Sequence, residues 1–416
     1  MALAAKLASI SAVGDQRSRT QKYKSLGDEL AESGRVADLK TLLDHLLSEG
    51  VPLAVSRNAC GSLATQVVSL RQSHPDQFED LCNFCLEKMQ GQARFFEEAE
   101  FVLREGLFDH LLGQARFGDA ANALGALNMD GAGGKVYTDA EKAQVYVKVA
   151  ETYLEADEPD AAENFCNKAS AVMHDVEDWA LHLRYRTTNA RVLDVNRKFL
   201  DAAMRFYELS QTENAQVESQ DLLELLGRSI TCAVLGKAGP QRSRTLGMLF
   251  KDERLDTLDQ LSNYKTHAQV LTTMYMEQIL RKTEMESFTA SLMVHHKAVT
   301  GDGLSIPERA VMEHNVVAAS RIYDNIRLDE LGKLLEIPPD KAEKVSARMI
   351  TEGRLAGTID QVEGLLQFEG DMDELQHWDE RITLLCHRVN QCVEAIETRY
   401  PQVANMAGPQ LGAAWA

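Results

Sequence analysis

The sequence has few of the residues that interrupt helices and few that build sheets. Proline accounts for only 9 of its 416 residues, and aromatic residues make up 6% of the chain. Because proline breaks helix interiors and aromatic residues favour strands, their scarcity leaves long stretches free to be helical. Alanine, leucine and glutamate, which are strong helix formers, are abundant. The composition therefore predicts a mainly α-helical fold.

Long apolar runs and secretion signals are also missing. No segment approaches the ~20 consecutive apolar residues that a membrane-spanning helix needs. Residues 1–13 carry one lysine and a short apolar stretch, without the length and boundary of a signal peptide. The seven cysteines are odd in number and scattered, as is typical of reduced thiols. We expect a protein of the cytoplasm and nucleus that binds no membrane.

Positive charge is in short supply. The formal net charge is −19 at pH 7, and such a surface repels polyanions within about a Debye length, ~8 Å at physiological salt. Because neutralisation of phosphates supplies most of the affinity for nucleic acid, the charge argues against nucleic acid as the main partner.

Motifs of hydrolytic, phosphate-binding and metal-dependent enzymes are missing as well. The sequence contains no HExxH, GxSxG or HxH pattern, and the glycines of residues 131–134 lack the spacing of a P-loop. Cys82 and Cys85 form an isolated pair, whereas a structural zinc site needs four ligands, so core packing explains them better. His295 and His296 have no cluster of carboxylates beside them in the sequence. We predict no catalytic residue, no cofactor and no metal site.

A three-residue word recurs at a fixed interval in the first half of the chain. Asp-Ala-Ala occupies residues 119–121, 160–162 and 201–203, each 41 residues after the last and each after a short polar turn. Small residues at the start of a helix let it approach its neighbour closely, and larger ones such as Phe165 and Phe206 fill the groove. The interval is typical of tetratricopeptide and HEAT hairpins. A related segment at residues 34–39 suggests that the array starts near residue 20.

We predict a right-handed helical-repeat arm over residues 1–200 and a second helical subdomain over residues 201–302. From residue 303 to 370, three helices followed by a two-stranded hairpin predict a winged helix. Residues 340–352 of its third helix carry as many acidic as basic side chains, whereas helices that read DNA have a basic excess. Protein docking by sheet extension is therefore favoured. The predicted sheet edge comprises Thr358, Ile359, Leu366 and Phe368.

A long helix is predicted over residues 371–400, followed by a disordered tail over residues 401–416. Its apolar residues alternate at steps of three and four, which is the a/d pattern of a coiled-coil seam. The seam could fold back on its own domain or pair with helices of other subunits, and pairing is favoured because little chain is left to cover it. The seam residues are Leu375, Trp378, Ile382, Leu385, Val389, Cys392 and Ile396.

One stretch of the acidic chain is locally basic, with Arg242, Arg244, Lys251 and Arg254 close in sequence. Two interpretations stay open. The four residues could be a solvated turn and helix start, which is favoured, or a binding surface for an acidic segment of a partner.

Several longer motifs resemble those of one protein family. A helical-repeat arm joined to a winged helix is the architecture of the PCI family, whose members are scaffold subunits of the proteasome lid, the signalosome and initiation factor three. The resemblance covers most of residues 50–370, and within the family the motifs are most similar to a signalosome subunit. The most specific motifs are Ala238-Gly239-Pro240-Gln241-Arg242-Ser243-Arg244, Arg309-Ala310-Val311-Met312-Glu313-His314-Asn315 and Gly357-Thr358-Ile359-Asp360-Gln361.

The resemblance implies a non-catalytic scaffold and regulatory subunit of a complex that removes the ubiquitin-like Nedd modifier from cullin–RING ubiquitin ligases. Implied partners are other PCI subunits, the metalloprotease-type subunit pair that carries the peptidase activity, and the ligase itself. The winged helix and C-terminal helix would mediate assembly, and the acidic arm would face basic surfaces of the ligase. A PCI scaffold of the proteasome lid or of translation initiation, and a winged-helix nucleic-acid binder, are the alternatives.

Overall fold

The computed structural model describes residues 2–48, 50–91, 95–129, 137–212, 217–261, 263–301, 303–368 and 374–399. Contacts divide the chain into two compact units, Met1–Ala233 and Val234–Ala416. The domain boundaries predicted at residues 200, 302 and 370 stay predictions. The predicted disordered tail and the glycine-rich segment 131–134 lie outside the described residues.

Helices build the whole described part of the first unit, and successive helices pack as hairpins. The helices are α1 (Ala2–Ser11), α2 (Gln16–Glu32), α3 (Val36–Leu46), α4 (Leu53–Ser69), α5 (Pro75–Gln90), α6 (Glu97–Gly113), α7 (Phe117–Gly125), α8 (Asp139–Glu155), α9 (Pro159–Val172), α10 (Trp179–Val195), α11 (Phe199–Ser210) and α12 (Ser219–Leu235). The division between the two units falls inside α12.

One kind of turn recurs in the hairpins that carry the repeated word. Ala115, Asp157 and Arg197 adopt left-handed φ angles of 59°, 58° and 61° just before α7, α9 and α11. The next amide in each case donates to the carbonyl oxygen five residues earlier, at 2.9–3.1 Å. This bond closes the end of the first helix and reverses the chain. Gly34 makes the same turn before α3, with φ 66°, so the hairpin pattern extends upstream to α2.

The repeated alanines are fully buried between packed helices. Ala121, Ala162 and Ala203 are 0% exposed, and the ring of Phe165, half-buried one turn after Ala162, stacks on Tyr153 at 5.6 Å between ring centroids. Small side chains permit the approach and large ones fill the space beside it, as in helical solenoids. The predicted helical-repeat fold is confirmed.

Ion pairs link each hairpin to the preceding one along the surface. Arg184 binds Glu151 at 2.6 Å, and Lys198 binds Glu163 at 2.5 Å, joining residues 33 and 35 positions apart. The paired side chains are 30–50% exposed, and such surface pairs typically contribute at most about 1 kcal/mol each. Burial of the apolar core between the helices therefore supplies most of the stability of the stack.

The second unit combines helices with a small sheet, and its last helix is the longest in the described chain. No helix among the described residues is both long and apolar enough to span a membrane. The elements are α13 (Pro240–Phe250), α14 (His267–Tyr275), α15 (Lys282–Ala290), α16 (Ile306–Ser320), β1 (Asn325–Arg327), α17 (Leu328–Leu335), α18 (Pro339–Thr351), β2 (Gly357–Asp360), β3 (Leu365–Phe368) and α19 (Glu374–Arg399).

The order α16–β1–α17–α18–β2–β3 is that of a winged helix, and the predicted fold class is confirmed. Strands β2 and β3 form the wing, and β1 adds a third, antiparallel strand through the pairing of Ile326 with Leu366. A glycine is required at position 357, because a Cβ there would lie 2.6 Å from the carbonyl oxygen of Gln367. Leu331, Met349 and Leu366, each 0% exposed, form the centre of the domain's core.

We expect Ala162→Leu to destabilise the first unit by about 1–3 kcal/mol or more, because the closely packed helices cannot admit a larger side chain without moving apart. Ala171→Leu is the matched control, since Ala171 is exposed on the same helix and the substitution should change stability by less than about 0.5 kcal/mol. Urea unfolding followed by circular dichroism measures both. Equal unfolding midpoints would contradict the close-packing role of the repeated alanines.

Candidate assembly surfaces

The sheet of the winged helix offers two edges for strand addition. Its order is β1–β3–β2, so β1 and β2 are the edge strands and β3 is central. Thr358 and Ile359 lie on β2, and their role in docking stays a prediction. Leu366 and Phe368, predicted at the same edge, lie on β3 and are only 0% and 5% exposed. Their placement at an edge was wrong, because β1 pairs with the other side of β3.

Neither edge has the charge of a nucleic-acid surface. The open cleft beside β1, about 1050 Å³, is lined by Arg327 and Lys333 and also by Glu330 and Glu363. Beside β2, the described lining residues with formal charge are the acidic Glu343 and Asp360. DNA-reading winged helices need an excess of cations that contact phosphates. Backbone hydrogen bonding to a protein strand suits these edges better.

Helix α19 presents an apolar stripe to solvent. Its 26 residues span about 39 Å at 1.5 Å per residue. The seam side chains described there are all exposed: Trp378 61%, Ile382 52%, Leu385 65%, Val389 54% and Ile396 50%, with Cys392 exposed as well. The side chain of Leu375 lies outside the described residues. A contiguous exposed apolar stripe of this length is typical of a surface that another helix covers.

The locally basic stretch does not form one surface. Arg244 and Lys251 are exposed, but Arg254 is engaged by Asp252, with its Nη2 2.7 Å from Oδ2. Arg242 is only 4% exposed, so grouping it with Arg244 and Lys251 in one exposed patch was wrong. The reason is its position on α13, where it lies among the buried Thr245, Leu246 and Leu249.

A buried ion pair joins α16 to Arg354, which lies three residues before β2. Glu313, 2% exposed, accepts hydrogen bonds from Nη1 and Nη2 of Arg354, the latter at 3.0 Å, and from the amide of Ala238 at 3.3 Å. Burial opposes the charge of Arg354, but its hydrogen bonds to Glu313 and to the more exposed Glu352 raise its pKa. Three donors therefore compensate for the desolvation of the Glu313 carboxylate.

The two residues after Glu313 extend this buried network. His314 Nε2 lies 2.8 Å from the carbonyl oxygen of Gln278, and its Nδ1 lies 3.4 Å from Arg242 Nη2. A ring that donates from Nε2 and accepts at Nδ1 is neutral. Burial, and then the charge of Arg242, lower the pKa of His314 to about 4. Asn315 accepts from the amide of Leu280 at 2.9 Å and donates to its carbonyl at 3.0 Å.

Sequence reasoning identified these motifs only as points of resemblance and did not assign them a physical role. The available signal was a run of three polar residues inside the apolar pattern of α16, which an amphipathic helix would place partly in the core. In the structure, Glu313, His314 and Asn315 are 2–4% exposed. They bind residues 238, 242, 278, 280 and 354, so the network fixes distant segments of one unit.

The paired cysteines of the first unit lie in its core. Cys82 and Cys85 are at most 1% exposed, and burial raises the pKa of Cys85 to about 12 and that of Cys82 further. A thiolate is the form that attacks substrates and binds metals. This environment therefore opposes both roles and agrees with the predicted packing role.

Comparison with known proteins gives matches along both units. A family model described as "PSMD12/CSN4, N-terminal" matches residues 4–218, and one described as "PCI domain" matches residues 266–370. The COP9 signalosome complex subunit 4 of Dictyostelium discoideum is 40% identical over 396 residues, covering 94% of this chain and 96% of the relative. The same subunits of Arabidopsis thaliana and Drosophila melanogaster are 38% and 36% identical over 395 and 396 residues, again 94% of this chain and 97% and 94% of the relatives.

We expect Glu313→Gln to destabilise the second unit by about 3–5 kcal/mol, because it leaves the guanidinium of Arg354 buried without its main counter-charge. Glu352→Gln removes the second carboxylate from the same arginine, but Glu352 is 38% exposed and its loss should cost less than about 1 kcal/mol. Urea unfolding measures both variants. A similar cost for the two substitutions would contradict the role of Glu313 as the buried anchor.

The second unit should lose stability as the pH falls from about 6.5 towards 4. His314 and His267 have pKa values lowered by burial from 6.5 to about 4 in the folded chain. The unfolded chain therefore binds protons in this window and the folded chain does not, which costs about 1.4 kcal/mol per pH unit for each ring. His314→Gln should reduce the slope of unfolding free energy against pH, whereas His387→Gln, on the exposed surface of α19, should leave it unchanged. Equal slopes for all three proteins would contradict the prediction.

Proposed function

Because the chain belongs to the family of COP9 signalosome complex subunit 4, we propose that it acts in that complex as a non-catalytic scaffold and regulatory subunit. One observation carries the proposal: the similarity extends over 94% of the chain and at least 94% of each of these three relatives. It therefore covers both units rather than one shared module. The resemblance to the PCI family inferred from the sequence is confirmed.

Assembly is the role proposed for the second unit. The edge strands β1 and β2 have unpaired backbone groups that a neighbouring PCI subunit can bind by strand addition. The seam of α19 supplies an apolar stripe for helices of several subunits to cover. These two surfaces are supported by their exposure and by the absence of a basic excess along the described edges.

The proposed reaction partner is a cullin–RING ubiquitin ligase, from which the complex removes the Nedd modifier. The peptidase centre is assigned to the metalloprotease-type subunit pair that the resemblance to signalosome subunits implies. The first unit is the arm that faces the ligase. The proposal is supported by the sign of the net charge of the whole chain, −19, which complements the basic surfaces expected on the ligase. We place the complex in the cytoplasm and the nucleus.

The alternatives have less support. The matched N-terminal model joins two kinds of subunit in its description, but the relatives matched along nearly their whole length are signalosome subunits. A nucleic-acid reader would need cations along the winged helix that its described edges do not provide.

The double substitution Leu385→Asp and Ile396→Asp should leave both units folded but block incorporation into the complex, because it places two carboxylates in the seam. The matched control is Thr383→Asp with Thr398→Asp, which adds the same charges to the opposite, exposed face of α19. The measurement is affinity purification of the tagged chain from cells, with mass spectrometry and a deneddylation assay of the eluate. The control eluate is also tested for binding of a neddylated ligase. Binding that weakens as salt is added is the result expected if the first unit contacts the ligase through its charges.

Normal incorporation of the seam variant would contradict the assembly role of α19. Recovery of the unaltered chain alone, or bound to nucleic acid, would contradict the proposed function itself. Circular dichroism of the purified variants separates failed assembly from failed folding.

A further inference from the structure

A cleft of about 340 Å³ opens in the second unit between α13, α14, α16 and Arg354, which lies three residues before β2. Its lining mixes cationic with apolar side chains. Arg242 and Arg354 contribute charge, and Leu246, Met274 and Val317 contribute apolar surface. The start of α13, at Gly239 and Pro240, lies in the same wall.

Arg242 is the unusual group in this cleft. It is 4% exposed, and burial lowers its pKa to about 10, which still leaves it charged at neutral pH. Its hydrogen bonds go to neutral acceptors at long distances, 3.3 Å to the carbonyl oxygen of Gly236 and 3.4 Å to His314 Nδ1. No carboxylate in the described part of the chain forms an ion pair with it. The charge of Glu313 partly offsets the effect of burial on the pKa of Arg242, but the hydrogen bonds of this carboxylate go to Arg354 and to the amide of Ala238.

The other charged residues of the cleft are paired. Arg354 is held between Glu313 and Glu352, and Arg321 lies 3.0 Å from Glu277. A buried guanidinium without a carboxylate hydrogen-bonded to it is costly, and its planar fork matches a carboxylate in two hydrogen bonds. The arrangement therefore leaves one place for an incoming anion, beside Arg242.

We propose that this cleft binds an acidic side chain of a partner subunit, whose carboxylate pairs with Arg242 and whose flanking apolar residues pack on Leu246 and Val317. The inference rests on the proposed function and deepens it by naming the chemistry of one contact. A protein carboxylate fits better than a free phosphate ion, because apolar walls favour a side chain with apolar neighbours over a strongly hydrated ion. The cleft is distinct from the sheet edges and from the seam.

Ser243 provides the test, because it lines the cleft and its side chain is exposed. Ser243→Glu puts a carboxylate of the chain itself into the cleft, where it repels an incoming one, and Ser243→Gln adds the same bulk without charge. The full chain, with p-benzoylphenylalanine replacing the half-buried Tyr275 at the cleft wall, is purified within its complex and irradiated. Mass spectrometry then identifies the cross-linked peptide.

The expected product is a cross-link to a segment of another subunit that contains aspartate or glutamate, with its yield reduced about tenfold by Ser243→Glu but not by Ser243→Gln. Equal yields in the two variants, or no cross-link from an assembled complex, would overturn the inference and leave the proposed function intact. If the chain recovers no partner subunit, both the inference and the proposed function are contradicted.

A second measurement tests whether the cleft binds a free anion: the thermal unfolding temperature is compared in inorganic phosphate and in chloride at equal ionic strength. Stabilisation by phosphate that Ser243→Glu abolishes, without a cross-link, would identify a small-anion site and overturn the protein partner.

Discussion

The apolar face of a helix is stable only when another surface covers it. Each part of this chain meets that requirement in a different way. In the first unit, every hairpin covers the next, and the fully buried alanines at the start of α7, α9 and α11 set how closely the helices approach. In the winged helix, three helices and a three-stranded sheet enclose a core of their own. Helix α19 leaves its stripe exposed in the described part of the chain, and the proposed assembly role assigns helices of other subunits to cover it.

In the second unit, buried polar side chains have a different role from buried apolar side chains. Glu313, His314 and Asn315 replace apolar side chains in the core, where an equivalent set of leucines could contribute as much stability. What they add is specificity of position, because each polar atom forms its hydrogen bond with one particular partner in one geometry. The carboxylate binds Arg354, the ring binds Gln278, and the amide binds Leu280. These bonds fix the loops that precede α13, α15 and β2, and with them the walls of the cleft that contains Arg242.

Features that depend on periodicity were predictable from the sequence, whereas those that depend on tertiary contacts were not. The interval of the Asp-Ala-Ala word revealed the hairpins, and steps of three and four placed the stripe of α19. The left-handed turns at Ala115, Asp157 and Arg197 gave no signal, because the usual marker, glycine, is present only at Gly34. Leu366 and Phe368 were misplaced because strand order depends on β1, which is distant in sequence. Arg242 was misplaced because a charge count along the chain does not show which side of a helix faces the core.

The stripe on α19 also bears on how the amount of this protein is controlled in a cell. A newly synthesised copy without its partners carries several half-exposed apolar side chains on one helix, and such surface is what chaperones and degradation machinery bind. In the proposed assembly role, other subunits would cover the same side chains. Copies made in excess of those subunits would keep this surface exposed to degradation machinery, and removal of unassembled copies would then help to match the amounts of the subunits.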